Sequence, residues 1–192
     1  MTKTLYLMRH GETLFNQLHK KQGWCDSPLT AKGIAQAKIA GAYFKQRGIL
    51  FDACYSSTSE RACDTLELVT EQPYQRLKGL KEWYFGLFEG QDEVLNPKLP
   101  YGDFFVPYGG EGELEMRQRL NQTLSKVMAE TAGTTILAVS HGAAIRGFMR
   151  VWEEYTTVPP TNRLPNCCIA RFTYEDQKFV LEEMITHDFS EI

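Results

Sequence analysis

The sequence lacks the segments that mark secreted and membrane-spanning proteins. None of its apolar runs approaches the roughly 18 residues of a membrane span, and its N-terminus lacks the basic region, apolar stretch and cleavage site of a signal peptide. Its five cysteines form no CxxC pair and no regular framework, so we expect free thiols in a reducing compartment. These absences predict a cytoplasmic protein.

The sequence also has little excess charge of either sign. A net charge of −3 over 192 residues argues against nucleic acid or an anionic membrane as the main partner. No group of Asp, His and Cys residues has the spacing of metal ligands, so we expect neither a metal nor another cofactor. With 43% apolar and 23% charged residues, the chain has the composition of an ordinary globular protein, and its length fits one domain over residues 1–192.

Strands and helices alternate along the chain. Apolar runs and alternating patterns predict six strands, at residues 4–8, 51–55, 74–80, 134–139, 167–173 and 179–186. Helical periodicity predicts helices at residues 31–47, from Thr58 onward, at 111–131 and from 142 to about 152. This order predicts an α/β fold, a three-layer sandwich in which helices flank a mostly parallel mixed sheet.

The sequence also predicts the local structure of four segments. Residues 12–29 read as a polar loop, and a proline-rich turn is expected at Pro159 and Pro160. Residues 86–112 carry many prolines and glycines, and a stretch of this kind in a compact domain is typical of a binding loop, so we predict a small cap or lid there. In the helix at 111–131, the predicted buried side chains are Leu114, Leu120, Leu124, Val127 and Met128.

Polar side chains follow three of the predicted strands. Arg9 and His10 end the first strand, Arg61 lies just beyond the second, and His141 follows the strand at 134–139. Open α/β folds bind ligands beyond the carboxyl ends of their strands, so these four side chains are expected to meet at one sheet edge. An imidazole can act as a nucleophile, and the planar cation of arginine suits phosphate. The arrangement therefore predicts a phosphoryl site.

The chain resembles the histidine phosphatase superfamily, which includes cofactor-dependent phosphoglycerate mutases, in five segments that occur in order over residues 5–147: LYLMRHGET, GWCDSPLTAKG, SSTSERACDT, LKEWYFGLFEG and VSHGAAIRG. The resemblance implies a phosphoglycerate mutase-like fold. It also implies that His10 accepts the phosphoryl group as phosphohistidine, that Arg9 and Arg61 fork onto the phosphate oxygens, and that Glu82 is the general acid. His141, if protonated, would add a third positive donor.

The resemblance also implies a substrate-binding loop. Asn16, Gln22 and Gly23 follow the first motif, where the family binds phosphate and substrate. Gly142 and Ala143 open a helix, and their amides are expected to help bind the anion.

Three functions are open at this point. Between Gly86 and Gly112 the sequence has Lys98 as its one cation against five acidic residues, whereas the family's mutases carry a longer, basic insertion. This favours a phosphatase for small phosphorylated molecules or phosphoproteins, with a substrate that has one phosphate and a less charged body. A cofactor-dependent phosphoglycerate mutase is the alternative, and a non-catalytic phosphate-binding module is the third reading. The oligomeric state, a homodimer included, is left open.

Overall fold

The computed structural model describes residues 1–156, 158–159 and 163–192. Its six strands are β1 (Lys3–Arg9), β2 (Ala53–Ser57), β3 (Tyr74–Leu77), β4 (Thr135–Ser140), β5 (Ile169–Glu175) and β6 (Lys178–Ile185). They form one sheet in the order β3-β2-β4-β1-β5-β6. The first four are parallel, and β5 and β6 pair antiparallel to β1 and to each other. The mixed, mostly parallel sheet is the one that the sequence predicts.

Five helices accompany the sheet: α1 (Leu14–Gln17), α2 (Ala31–Gln46), α3 (Glu60–Val69), α4 (Glu113–Glu130) and α5 (Gly142–Val151). Successive side chains of β1 point to opposite faces, and each face has its own core. Leu5 and Leu7 belong to the cluster that holds the buried residues of α4 and α5, whereas Tyr6 and Met8 belong to the cluster that holds those of α2 and α3. This is the predicted three-layer sandwich.

Several local predictions need correction. The predicted loop at 12–29 contains α1, which is capped by the Thr13 side chain. Helix α3 begins after Ser59 rather than Thr58. Leu114 is 73% exposed, because it lies on the opposite side of α4 from the buried stripe. The predicted turn at Pro159 and Pro160 lies partly outside the described residues.

The segment predicted as a lid, residues 86–112, contains three short turns of 3-10 helix, at Gly86–Phe88, Glu93–Leu95 and Val106–Tyr108. Its centre is Phe105, which is fully buried and packs against the rings of Trp83, Phe85 and Phe88. Within the described residues, no helix is both long and apolar enough to cross a bilayer.

Candidate active site

The sheet register brings two histidines side by side. Arg9 at the end of β1 is paired with Ser140 at the end of β4, so His10 and His141 follow at the same level. The His10 amide donates to the Ser140 carbonyl at 3.1 Å, which holds the two strand ends together. The ring centroids of His10 and His141 are 5.2 Å apart. His10 and His141 therefore lie together at one edge of the sheet, as the sequence predicts.

His10 is held as a neutral imidazole with one nitrogen facing a cation. Its Nδ1 lies 2.7 Å from the Gly11 carbonyl oxygen, which can only accept, so Nδ1 carries the proton. Its Nε2 then accepts a hydrogen bond from Nε of Arg61 at 3.3 Å. Burial lowers the pKa of His10 well below its ordinary value, and the charges of Arg61 and Arg9 lower it further. Nε2 is thus unprotonated, and its lone pair faces the Arg61 guanidinium.

Arg61 is fully buried in the first turn of α3, and the protein already uses most of its donors. Nη1 donates to the Cys25 carbonyl at 3.0 Å and to Asp26 at 2.9 Å, and Nη2 donates to the Gly23 carbonyl at 2.9 Å. A guanidinium has five N–H groups. The loop around Asp26 therefore fixes Arg61 and leaves Nε and one Nη2 hydrogen on the side of His10.

His141 differs from the predicted positive donor. Its ring is fully buried, and burial together with the charges of Arg61 and Arg9 lowers its pKa well below the ordinary value. The imidazole is therefore neutral near pH 7 in the free protein, so the protonation that a third cation requires is not met there. Its Nε2 lies 2.8 Å from the Ser57 hydroxyl, while its buried Nδ1 has no hydrogen-bond partner. A tautomer with its proton on Nδ1 would be a neutral donor beside His10.

Arg9 retains an unused donor at the same place. One of its terminal nitrogens donates to the Leu164 carbonyl, but its buried Nε has no partner. A Cβ built on Gly142 would lie 3.4 Å from this Nε, so Arg9 passes directly beside the first residue of α5. Arg9 Nε and His141 Nδ1 are thus two buried nitrogens without a partner in the residues around His10. Buried polar atoms are rarely left unpaired, so both indicate a ligand group at this place.

Glu82 occupies the N-terminus of α5. Its Oε1 accepts from the amides of Trp83 at 2.9 Å and Ala144 at 2.7 Å, and its Oε2 accepts from the amide of Ala143 at 2.9 Å. The expectation that the Ala143 amide binds the substrate anion is therefore wrong, because Glu82 takes it. Each carboxylate oxygen has two lone-pair sites, so Oε2 keeps one that can carry a proton.

Arg119 and Glu111 hold the backbone on both sides of Glu82. Arg119 uses all five of its N–H groups: it donates to the carbonyls of Gly79, Lys81 and Glu82 at 2.9–3.1 Å and to both carboxylate oxygens of Glu111 at 2.7 Å. The Glu111 carbonyl in turn accepts from the Trp83 indole. Nothing in the sequence around Glu111 or Arg119 indicates this clamp, because it joins segments that are distant in the chain.

A cavity of about 330 Å³ opens beside His10. Five basic residues line its wall: Arg9, Lys20, Lys21, Arg146 and Arg163. Within the described part of the chain, Glu82 and Glu93 are the acidic residues on that wall. The predicted preference for a weakly charged substrate rests on the charges of residues 86–112. Basic residues from other segments reach the cavity, so the charge of that segment does not describe the wall.

The four predicted substrate-binding residues divide into two groups. Asn16, Gln22 and Gly142 line the cavity. Gly23 does not, and its amide donates to Glu89 at 3.1 Å, so its predicted role as a donor to the substrate does not fit this geometry. Arg61 and His141 also lie off the wall, fully buried beside His10.

The chain is similar to known proteins of one family. The family model of the histidine phosphatase superfamily (branch 1) matches residues 5–186. An uncharacterized phosphatase, PhoE, of Bacillus subtilis is 31% identical over 92% of this chain and 91% of its own length. A 2,3-bisphosphoglycerate-dependent phosphoglycerate mutase of Treponema denticola is 29% identical over 78% of each chain.

Two solved structures are also similar. A phosphoglycerate mutase from Bacillus anthracis superimposes with a TM-score of 0.83 and 27% identity, over 94% of this chain and 92% of that one. A phosphoserine phosphatase from Entamoeba histolytica, solved in complex with 3-phosphoglyceric acid, has a TM-score of 0.79 and 30% identity, over 97% and 98%. With a family model that covers almost the whole chain, the protein belongs to branch 1 of the histidine phosphatase superfamily.

Proposed function

We propose that the chain is a phosphatase that hydrolyses small phosphate monoesters through a phosphohistidine on His10. One observation carries the proposal: Nδ1 of His10 is bonded to the Gly11 carbonyl, so Nε2 is unprotonated and its lone pair faces Arg61, from which it accepts a hydrogen bond. A neutral imidazole in a cationic site is the form of histidine that can attack phosphorus.

In the first half-reaction, the lone pair of His10 Nε2 forms a bond to phosphorus while the bond from phosphorus to the ester oxygen breaks. Glu82 transfers a proton from Oε2 to that oxygen, so the leaving group departs as an alcohol. The phosphoryl oxygens replace Nε2 of His10 as the acceptor of the Arg61 Nε hydrogen bond. Nε of Arg9 and Nδ1 of His141 donate to the same phosphoryl group. These fixed donors stabilise the charge on the equatorial oxygens.

In the second half-reaction, Glu82 acts as a general base. It accepts a proton from a water molecule whose oxygen attacks the phosphorus, and the bond between phosphorus and Nε2 breaks. The electron pair returns to Nε2, and inorganic phosphate leaves. His10 and the protonated Glu82 are then restored for the next cycle. The two arginines supply the positive charge for this reaction, so we propose that it needs no metal ion.

The length of one curated mutase favours hydrolysis over return of the phosphoryl group to the substrate. The match to a mutase of Porphyromonas gingivalis extends over 233 aligned positions, although the present chain has 192 residues, so that mutase carries segments absent here. The match to PhoE needs 180 positions and covers nine-tenths of both chains. A chain without the extra segments has less protein with which to exclude water from the phosphohistidine.

A phosphoglycerate mutase is the second candidate, and the cavity wall favours it. Five basic residues can hold a substrate that has an anionic group besides its phosphate, as a mutase requires. Two similar proteins, the mutase of Treponema denticola and the mutase structure from Bacillus anthracis, bear that name.

The cavity volume indicates the size of the substrate, and the cysteines indicate the compartment of the protein. A volume of about 330 Å³ suits a small molecule better than a phosphorylated protein segment. The five cysteines are free thiols, in keeping with a reducing cytoplasm.

The test compares two activities of one preparation. Release of inorganic phosphate from p-nitrophenyl phosphate is measured with EDTA present, and interconversion of 3- and 2-phosphoglycerate is measured with 2,3-bisphosphoglycerate supplied. We expect hydrolysis in EDTA, at least about 1,000-fold lower kcat in His10→Ala, and unchanged kcat in the control His187→Ala. Faster interconversion than phosphate release would identify a mutase, and no turnover of either kind would identify a binding module.

A further inference from the structure

Two buried polar atoms on the cavity wall have no partner and no role in the reaction above. They are Nζ of Lys21 and Oδ1 of Asn96, and both residues line the cavity. Buried polar groups are nearly always hydrogen-bonded, so each unpaired one calls for an explanation. The unpaired nitrogens of Arg9 and His141 are explained by the phosphoryl group. Lys21 and Asn96 point to a second part of the same ligand.

Lys21 is only 3% exposed, and its ammonium lies among aromatic rings. Nζ is 4.5 Å from the ring centre of Phe88, 4.6 Å from that of Phe105 and 5.4 Å from that of Phe85. The ring faces attract the cation, but they do not replace the hydrogen bonds that its three N–H donors make in water. A buried cation of this kind is costly to maintain unless an anion joins it.

The protein's own acids do not supply that anion. The Glu89 carboxylate accepts four backbone amides, those of Gly23, Trp24, Cys25 and Phe85. Glu93 is near enough to raise the pKa of Lys21, as Glu89 does, but neither offsets the lowering by burial.

The adjacent lysine is the contrast, since Lys20 pairs with Asp92 at 2.7 Å. Of these two neighbouring lysines, Lys21 is therefore the one whose ammonium lacks an acceptor.

The surroundings indicate which anion fits. Glu93 lies on the same wall and repels a dianionic phosphate more strongly than a monoanionic carboxylate. Oδ1 of Asn96 needs a hydrogen-bond donor, which a fully ionised phosphate lacks and which an ammonium or hydroxyl group next to a carboxylate provides. Both features favour a carboxylate with a donor beside it.

We propose that Lys21 binds a carboxylate at the end of the substrate away from the phosphate, so that the enzyme selects phosphate monoesters of small amino or hydroxy acids. This inference rests on the proposed phosphatase activity. Lys21 is a specificity-determining residue in this account, and the chemistry at His10 does not require it.

The experiment uses two substrates that differ by one carboxylate, O-phosphoserine and O-phosphoethanolamine, with wild type, Lys21→Met and the control Lys98→Met. Methionine keeps an unbranched apolar side chain among the rings, and Lys98 is an exposed lysine of the lid. We expect wild type and Lys98→Met to prefer phosphoserine in kcat/KM. We expect Lys21→Met to lose about 10- to 100-fold on phosphoserine and to change little on phosphoethanolamine.

The ratio of the two kcat/KM values is independent of how much of a preparation is folded, so partial misfolding of Lys21→Met does not obscure the result. A wild type without preference, or a preference that Lys21→Met retains, overturns the assignment of Lys21 while leaving the phosphatase in place. Failure of wild type to hydrolyse p-nitrophenyl phosphate as well overturns both proposals.

Discussion

Arg61 donates a hydrogen bond from its Nε to Nε2 of His10 across 3.3 Å. The contact requires a neutral ring with its proton on Nδ1, because a protonated Nε2 could not accept. The same guanidinium also lowers the pKa of His10. In the proposed mechanism, the phosphoryl oxygens replace the imidazole as acceptors for Arg61.

The first prediction concerns the protonation of the two histidines. Because burial and the neighbouring arginines lower both pKa values well below 6.5, we expect both rings to remain neutral at pH 6. NMR titration of the imidazole protons in the free protein checks this, with His10→Asn and His141→Asn used to assign the signals. Titration of either ring with a midpoint at or above 6.5 would contradict it.

The second prediction is the effect of these rings on stability. A histidine whose folded pKa is lowered binds its proton more readily in the unfolded chain, so stability is full above the unfolded pKa and is lost as the pH falls below it. We expect the free energy of unfolding to fall below pH 6.5 by up to about 1.4 kcal/mol per pH unit for each ring. Urea unfolding at several pH values measures this. In His141→Asn the free energy of unfolding should change less per pH unit than in wild type, and an unchanged dependence on pH would contradict the prediction.

The third prediction concerns the clamp on Glu82. Lysine cannot make the five hydrogen bonds of Arg119, so Arg119→Lys should let the backbone around Glu82 shift. We expect kcat to fall about 10- to 100-fold with little change in KM, because Arg119 contacts Glu82 and not the cavity. Arg117→Lys is the matched control, since Arg117 pairs with Glu113 on the same helix. Equal losses in the two variants would mean that the clamp has no special role.

The fourth prediction concerns the support of Arg61. Its partner Asp26 also accepts from the Glu60 amide, and Arg61 itself is fully buried. We expect Asp26→Asn to lower the free energy of unfolding by about 1–3 kcal/mol, because the buried cation loses its counter-ion. Asp92→Asn removes an exposed ion pair with Lys20 and should cost less than about 1 kcal/mol. Urea denaturation of both variants measures the difference, and equal costs would contradict the account.

Much of the fold and the centre of the site follow from the sequence because they depend on local patterns. Apolar runs that end in Arg9-His10 and before His141 identify two strand ends, and parallel strands bring such ends to one edge. The residues that meet at this edge could therefore be predicted. The charge of His141 could not be predicted from the sequence, because it depends on complete burial beside Arg61 and Arg9.

The parts that the sequence does not reveal depend on contacts between distant segments. Arg119 reaches the carbonyls around Glu82 only because α4 packs against residues 78–80, and nothing in its own neighbourhood indicates this. In the sequence Lys21 is typical of a solvated loop residue, but in the structure Phe85 and two lid residues, Phe88 and Phe105, surround its ammonium. The sequence gives no partner for the Ala143 amide, yet in the structure this amide donates a hydrogen bond to Glu82, which lies 61 residues away in the chain.

The most direct test of the central claim is to locate the phosphoryl group on the enzyme. Phosphorylated protein is trapped by rapid quenching in base after mixing with O-phosphoserine, and the modified residue is identified by mass spectrometry and ³¹P NMR. The account predicts an acid-labile phosphoramidate on Nε2 of His10, formed and lost at rates that match turnover. A phosphoryl group on Nδ1 or on another residue, or steady-state turnover by His10→Ala at the wild-type rate, would contradict it.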